Sequence, residues 1–297
     1  MSRSVAPELF RALAVVCEGP QAGPVAGALG IVPDTAEHTD LFSFQLPPYA
    51  SIFLGADGML GGEPAGRVGG FWRALHLDPP AEPDHLAALL GLYAALTEAE
   101  VDETDPARRR LRGEARRALL AEHLAPWVFV YATAATRVAG PGYRPWAEAL
   151  SAALLAEAAA AELAGSGRDS GSGSPALHLR QAPPPAEPGD DGLDAYLGRL
   201  LAPVASGIVV TRRDLVEAAR RLGLGLRMGE RRFVLSALVN QDPSAVAGWL
   251  AEEAGAWAEE HDRLVPILGD TARFWRERAR STEAHLRRLL STDFRAA

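Results

Sequence analysis

The chain has 297 residues, of which 48% are hydrophobic, 23% charged and 7% aromatic. That is the composition of a folded globular protein with room for about two domains, and it excludes disordered, fibrous and membrane-embedded classes. A formal charge of -8 gives no whole-molecule attraction for nucleic acid or anionic lipid, and the single cysteine, Cys17, excludes a disulfide framework and fits a reducing cytoplasm.

Leu9, Phe10, Leu13 and Val16 recur at helical spacing, so the N-terminus predicts an amphipathic helix. Arg11 interrupts any apolar export core there. No run of 18 apolar residues follows, so the sequence predicts a soluble, cytoplasmic protein without membrane insertion. Asp40 to Gly70 reads as a long non-helical loop. It carries glycines at 55, 58, 61, 62, 66, 69 and 70 and three prolines, yet also Phe42, Phe44, Leu46, Tyr49, Ile52, Phe53 and Leu54. A loop this apolar must pack against something.

Pro83-Asp84-His85-Leu86 predicts a helix start, with Pro83 in the first turn and Asp84 at the positive end of the dipole; Asp84 and His85 are expected to be partly exposed. Leu86, Leu89, Leu90 and Tyr93 continue as one helical stripe. The acids between Glu98 and Asp105 and the arginines from Arg108 to Arg117 read as a solvated, mutually screened surface. Leu120, Leu124, Trp127, Val128 and Tyr131 form a second stripe, in which Pro126 must kink the helix or start a new one. A further helix covers 145–164 and ends at Gly165.

Residues 165–192 are so rich in Gly, Ser and Pro that they predict a flexible linker. Beyond it, Thr211 and Asp214 form a capping-box pattern, Leu215, Ala218, Ala219 and Leu222 follow at helical spacing, and Gly223 ends the helix. More helices are expected over 229–241, 243–261 and 270–291. The fold class is therefore all-α with no sheet. A helical domain over 1–164, net -8, is followed by the linker, net -2, and a helical C-terminal extension over 193–297, net +2.

No phosphate-binding loop, dinucleotide fingerprint or metalloprotease motif is present. The spacings of His38, His76, His85 and His123 and of the neighbouring acids match no metal-ligand pattern. Two other readings stay open. Ser51, Asp84 and His85 are the residue types of a hydrolase, provided Ser51 lies within hydrogen-bond reach of His85. Residues 205–235, with seven arginines against three acids, fit two helices joined by a Gly-containing turn, as in a regulator with a DNA-binding C-terminal domain. The apolar loop beside Asp84 and His85 instead predicts a hydrophobic groove with a polar end, suited to a peptide.

The succession Leu41-Phe42, Pro47-Pro48-Tyr49-Ala50-Ser51, Phe53-Leu54, Gly61-Glu63-Pro64, Phe71, Glu82-Pro83-Asp84-His85-Leu86, His123-Leu124-Pro126-Trp127, Tyr143 and Trp146 resembles the TorD/DmsD/NarJ family of redox-enzyme maturation chaperones. The resemblance covers about residues 5–164. It implies a TorD-like helical bundle with no catalytic activity and no cofactor of its own. Its partner would be the apo catalytic subunit of a molybdopterin-dependent oxidoreductase, held through a twin-arginine leader peptide or other N-terminal segment until cofactor insertion, assembly or export. It also implies a peptide site lined by Tyr49, Ser51, Phe71, Trp72, Asp84 and His85, with Glu63, Glu82 and Asp84 meeting the leader's arginines; the helix after Pro83-Asp84-His85 lacks the acidic residue common in the family. The chain is expected to be a monomer or homodimer. The extension lies outside the compact family domain.

Overall fold

The computed structural model of the chain describes residues 6–20, 23–32, 34–163, 175–189 and 192–296. Among these all regular structure is helical, with no strand and one isolated bridge between Tyr49 and His85. The predicted N-terminal helix is α1 (Pro7–Glu18), whose Phe10, Leu13, Val16 and Cys17 are buried. Two short helices, α2 (Gly23–Ala28) and α3 (Thr35–Thr39), lead into a π-helical turn, π1 (Asp40–Gln45).

The stretch from Asp40 to Gly70 is not the loop its composition predicts. It holds π1, α4 (Ala50–Leu54) and α5 (Gly62–Ala74). Pieces of five or six residues are too short to display a helical stripe. The glycines mark the breaks between them: Gly61 and Gly62 open α5 at φ +85° and +71°, where other residues are strained. Helix α6 (Leu86–Asp102) also starts later than expected, at Leu86. Pro83 and Asp84 lie outside it, and His85 is its cap, with Nδ1 accepting the Ala87 N–H at 3.2 Å.

Asp105 caps α7 (Pro106–Ala118), accepting from the N–H groups of Ala107 and Arg108. A second π-helical turn, π2 (Leu119–Leu124), then passes into α8 (Ala125–Val138). The break at Pro126 is the predicted one. Proline has no N–H and its ring crowds the carbonyl four residues back, so the α-register cannot run through. The run from 106 to 138 is long and apolar enough to cross a membrane, but 78% of its apolar window is buried inside the protein.

After α9 (Arg144–Ala160) come α10 (Leu177–Arg180), α11 (Leu193–Leu201), α12 (Pro203–Ser206), α13 (Arg212–Leu222), α14 (Arg231–Val239), α15 (Pro243–Leu268) and α16 (Asp270–Ala296). The capping box of α13 forms as predicted, and Gly223 closes the helix at φ +67°. Of the stretch read as a linker, residues 165–174 and 190–191 lie outside the described residues. Residues 175–189 are described, and their Ala176, His178, Leu179 and Ala186 are buried.

In the first part, α1 lies on α6, and the core is aromatic: Phe42 meets Trp146 edge-on at 4.9 Å, and Phe53 packs on Trp127 and Tyr131. One member of the arginine run departs from the solvated reading. Arg116 reaches inward to buried Glu157 (3.1 Å), the Tyr93 hydroxyl (2.8 Å) and Glu100 (2.8 Å). The later helices lie against this core, and the buried apolar residues of both parts form one continuous cluster. Trp275 of α16 donates to the Pro126 carbonyl (2.8 Å), Arg137 pairs with Glu253 (3.2 Å), and Arg213 pairs with Asp40 of π1 (3.0 Å). Helices α15 and α16 form a hairpin turned at Gly269, and against it lies the α12 turn. His261 Nε2 bonds the Gly207 carbonyl (2.9 Å) and Thr282 donates to the Ser206 carbonyl (2.7 Å).

Candidate functional site

Five of the eight predicted site residues meet where two extended segments pair. The Leu86 N–H donates to the Pro48 carbonyl (2.8 Å) and the Ala50 N–H to the Asp84 carbonyl (3.0 Å), which brings 48–50 and 84–86 together antiparallel. Across this pairing the Tyr49 ring meets His85 edge-on at 4.8 Å, and the Tyr49 hydroxyl donates to Glu82 Oε2 (2.9 Å). Burial, reinforced by the Glu82 carboxylate, pushes the Tyr49 phenol up to about 12, so it stays a donor at any physiological pH. Burial holds the His85 imidazole below its usual range. The neutral ring spends Nδ1 on the helix cap and keeps its proton on Nε2.

Asp84 is only 4% exposed, contrary to the exposure expected from sequence. Its carboxylate accepts the Ser51 N–H (2.9 Å), because the extended pairing turns it inward under the first turn of α4. Ser51 is fully buried, and its hydroxyl accepts the Gly61 N–H (3.1 Å), which fixes the start of α5. These bonds bear on the hydrolase alternative. The Ser51 hydroxyl serves Gly61, Asp84 serves the Ser51 backbone, and His85 Nδ1 serves Ala87, so the three side chains form no nucleophile–base–acid relay.

The remaining three lie on α5. Glu63 pairs with Arg67 one turn on, and Arg67 also donates to Gln181 (2.6 Å). Phe71 is half-buried with its ring 4.6 Å from His123 of π2, and Trp72 is half-buried at the edge of the core. Helix α5 is tied to the paired segments through Ser51 and Gly61, and Gly69 faces Pro83.

This side holds residues that the sequence reading did not assign to the site. His123 and His178 meet edge-on at 5.6 Å, both more than nine-tenths buried. Burial, with Arg67 nearby, pulls His123 down to about 4, and burial with His123 and Arg67 pulls His178 down to about 3. His123 was visible in the His-Leu-x-Pro-Trp run. His178 lay in the stretch read as linker. Among the described residues no group of three or more His, Cys, Asp or Glu side chains is placed to hold a metal ion.

The arginines behind the nucleic-acid alternative are largely engaged by the protein itself. Arg213 is held by Asp40 and the Val138 carbonyl, Arg231 by the Val210 carbonyl, Arg221 by Glu252 and Arg220 by Glu217.

Residues 35–132, about a third of the chain, match the family model described as nitrate reductase delta subunit. That family is one of TorD-like maturation chaperones. It acts with molybdoenzyme catalytic subunits and comprises chaperones, not catalysts. No curated protein and no solved structure matches the chain. The delta-subunit segment runs from α3 into α8, so it contains all eight predicted site residues and His123, while α10 to α16 lie beyond it.

Proposed function

We propose that the chain is a cytoplasmic maturation chaperone that holds the apo catalytic subunit of a molybdopterin-dependent oxidoreductase through its leader or N-terminal segment. It assists cofactor insertion, assembly or twin-arginine export by stoichiometric binding. The observation that carries this reading is the delta-subunit match over the segment that builds the Tyr49–Glu82–His85 cluster. In this reading Tyr49, Glu82 and His85 contact the client, Glu82 and Glu63 attract its arginines, and Phe71 and Trp72 receive its apolar side chains. Asp84 and Ser51 act from beneath by holding the paired segments in place. The net charge of -8 over residues 1–164 steers a basic leader toward this surface.

The test is affinity capture of the tagged full chain from its host, with mass spectrometry and metal analysis of what co-purifies. One molybdoenzyme catalytic subunit in molybdenum-free form is the expected result, with recovery falling at least fivefold for Glu82→Gln combined with His85→Ala. Recovery of no such subunit overturns the reading.

A further inference from the structure

Residues 175–189 cross the protein as a strap, and the way they are held sets them apart from the rest of the fold. The strap contains one helical turn, α10, followed by Pro183-Pro184-Pro185 without regular structure. It buries four side chains, those of Ala176, His178, Leu179 and Ala186. Its main ties to the body are the Leu177 N–H to Glu122 (3.1 Å), Arg67 to Gln181, the Ala186 N–H to the Ala205 carbonyl (2.9 Å), and Arg199 to the Glu187 carbonyl (3.0 Å).

The contact is also poorly satisfied. Both ring nitrogens of His178, Nδ1 of His123 and one terminal nitrogen of Arg67 are sealed from solvent with no hydrogen-bond partner among the described residues. Buried polar groups are nearly always paired, because leaving one unpaired forfeits its hydration without return. Here three such side chains gather at one seam, so opening it returns their hydration and sacrifices few bonds.

The strap meets His123, whose ring lies against Phe71, and Arg67, which pairs with Glu63; within Leu177-His178-Leu179-Arg180 the side chains of His178 and Leu179 are buried, while those of Leu177 and Arg180 are exposed. Glu122 and His123, which meet the strap, both lie on the π-helical turn π2, an irregularity that recurs at functional sites. Buried Leu179 gives the turn an apolar anchor of the kind assigned above to the client.

We propose that residues 176–182 are a built-in stand-in for the client, with His178 and Leu179 occupying the Phe71–His123 end of the binding surface until an apolar client segment displaces them. The regulation rests on the chaperone reading of that surface. A covalently attached occupant competes at an effective concentration of order millimolar, so the strap raises the threshold for binding.

The test uses the full chain with residues 176–182 replaced by a Gly/Ser segment of equal length, and a fluorescent synthetic peptide of residues 175–189 as probe. The replaced chain, shown folded by its cooperative melt, is expected to bind the peptide at least tenfold more tightly than the native chain. Phe71→Ala in the replaced background should abolish that gain. Equal affinity of folded native and replaced chains overturns the proposal. If the replacement does not fold, Leu179→Ser in the native chain is the alternative, with the same tenfold expectation and the same refutation. The peptide assay needs no molybdoenzyme, so its failure is separable from failure of the capture experiment.

Discussion

Asp84→Ala tests whether the inward carboxylate, and not a surface contact, is what this residue supplies. The side chain is 4% exposed and accepts the buried Ser51 N–H at 2.9 Å. Removing it leaves that N–H without an acceptor under the first turn of α4. A hydrogen bond to a charged acceptor and the penalty for an orphaned buried donor each fall near 1–3 kcal/mol and overlap, so the expected loss is about 2–3 kcal/mol. With a urea m-value of roughly 3 kcal/mol/M the unfolding midpoint should fall by about 0.7–1 M at constant m. Asp84→Asn keeps an acceptor oxygen and should lose less than half as much. His85→Ala, which gives up the cap and the Tyr49 ring contact on a half-buried side chain, should cost about 1–2 kcal/mol. An Asp84→Ala midpoint within about 0.5 kcal/mol of the native chain would refute the argument, because the Ser51 N–H would then have found water or another acceptor.

The buried histidines set a pH dependence. His123, His178 and His261 are held at about 4, 3 and 4 in the folded chain, against an unfolded value of 6.5, so the unfolded chain binds more protons. Their stabilising contribution is complete above pH 6.5 and is lost as pH falls from there toward 4 and 3. Urea titrations at pH 7.5 and 5 should differ by several kcal/mol, and His261→Gln should flatten the curve. Glu157→Ala removes the acceptor of the Tyr93 hydroxyl and one of the two carboxylates on Arg116, which keeps Glu100, and should cost about 1–3 kcal/mol by chemical denaturation. Gly207→Ala should prevent native docking of α16. The residue sits at φ +74° and an added Cβ would lie 2.2 Å from the Ala279 nitrogen, so loss of the cooperative melt is the expected readout. Trp275→Phe drops the bond to Pro126 and leaves part of the buried indole's volume unfilled, and should cost about 1–3 kcal/mol.

Long helices were legible because their signals are local. The stripe from Leu86 to Tyr93, the Thr211–Asp214 box and the Pro126 break each depend on residues within two turns, and each appears in the structure. What failed to show was short or non-local. The helical pieces between Asp40 and Gly70 are stabilised by packing against α8 and by bonds such as Ser51 to Gly61, which no periodicity reveals. The inward turn of Asp84 follows from pairing with residues 48–50, more than thirty positions away. Leu177 to Arg180 were averaged into a Gly/Ser/Pro-rich window. The burial of His178 and Leu179 depends on contacts such as His178 with His123, 55 positions away.

The two ends of the candidate site differ in how completely their buried polar groups are paired. At the Tyr49 end, Asp84, Ser51 and Gly61 form a closed set in which donor meets acceptor, and a closed buried set resists deformation because any opening strands a partner. At the Phe71 end, His123, His178 and Arg67 leave nitrogens unpaired, so opening restores their hydration and sacrifices few bonds, chiefly Leu177 to Glu122 and Arg67 to Gln181. A surface that must recognise a segment and then release it needs both properties. In the proposed chaperone reading, the rigid end fixes where Tyr49, Glu82 and His85 stand, and the loosely satisfied end gives way to an arriving client segment. In that reading, stability lost at the strap is coupled to occupancy of the site, and the Gly/Ser replacement measures that coupling.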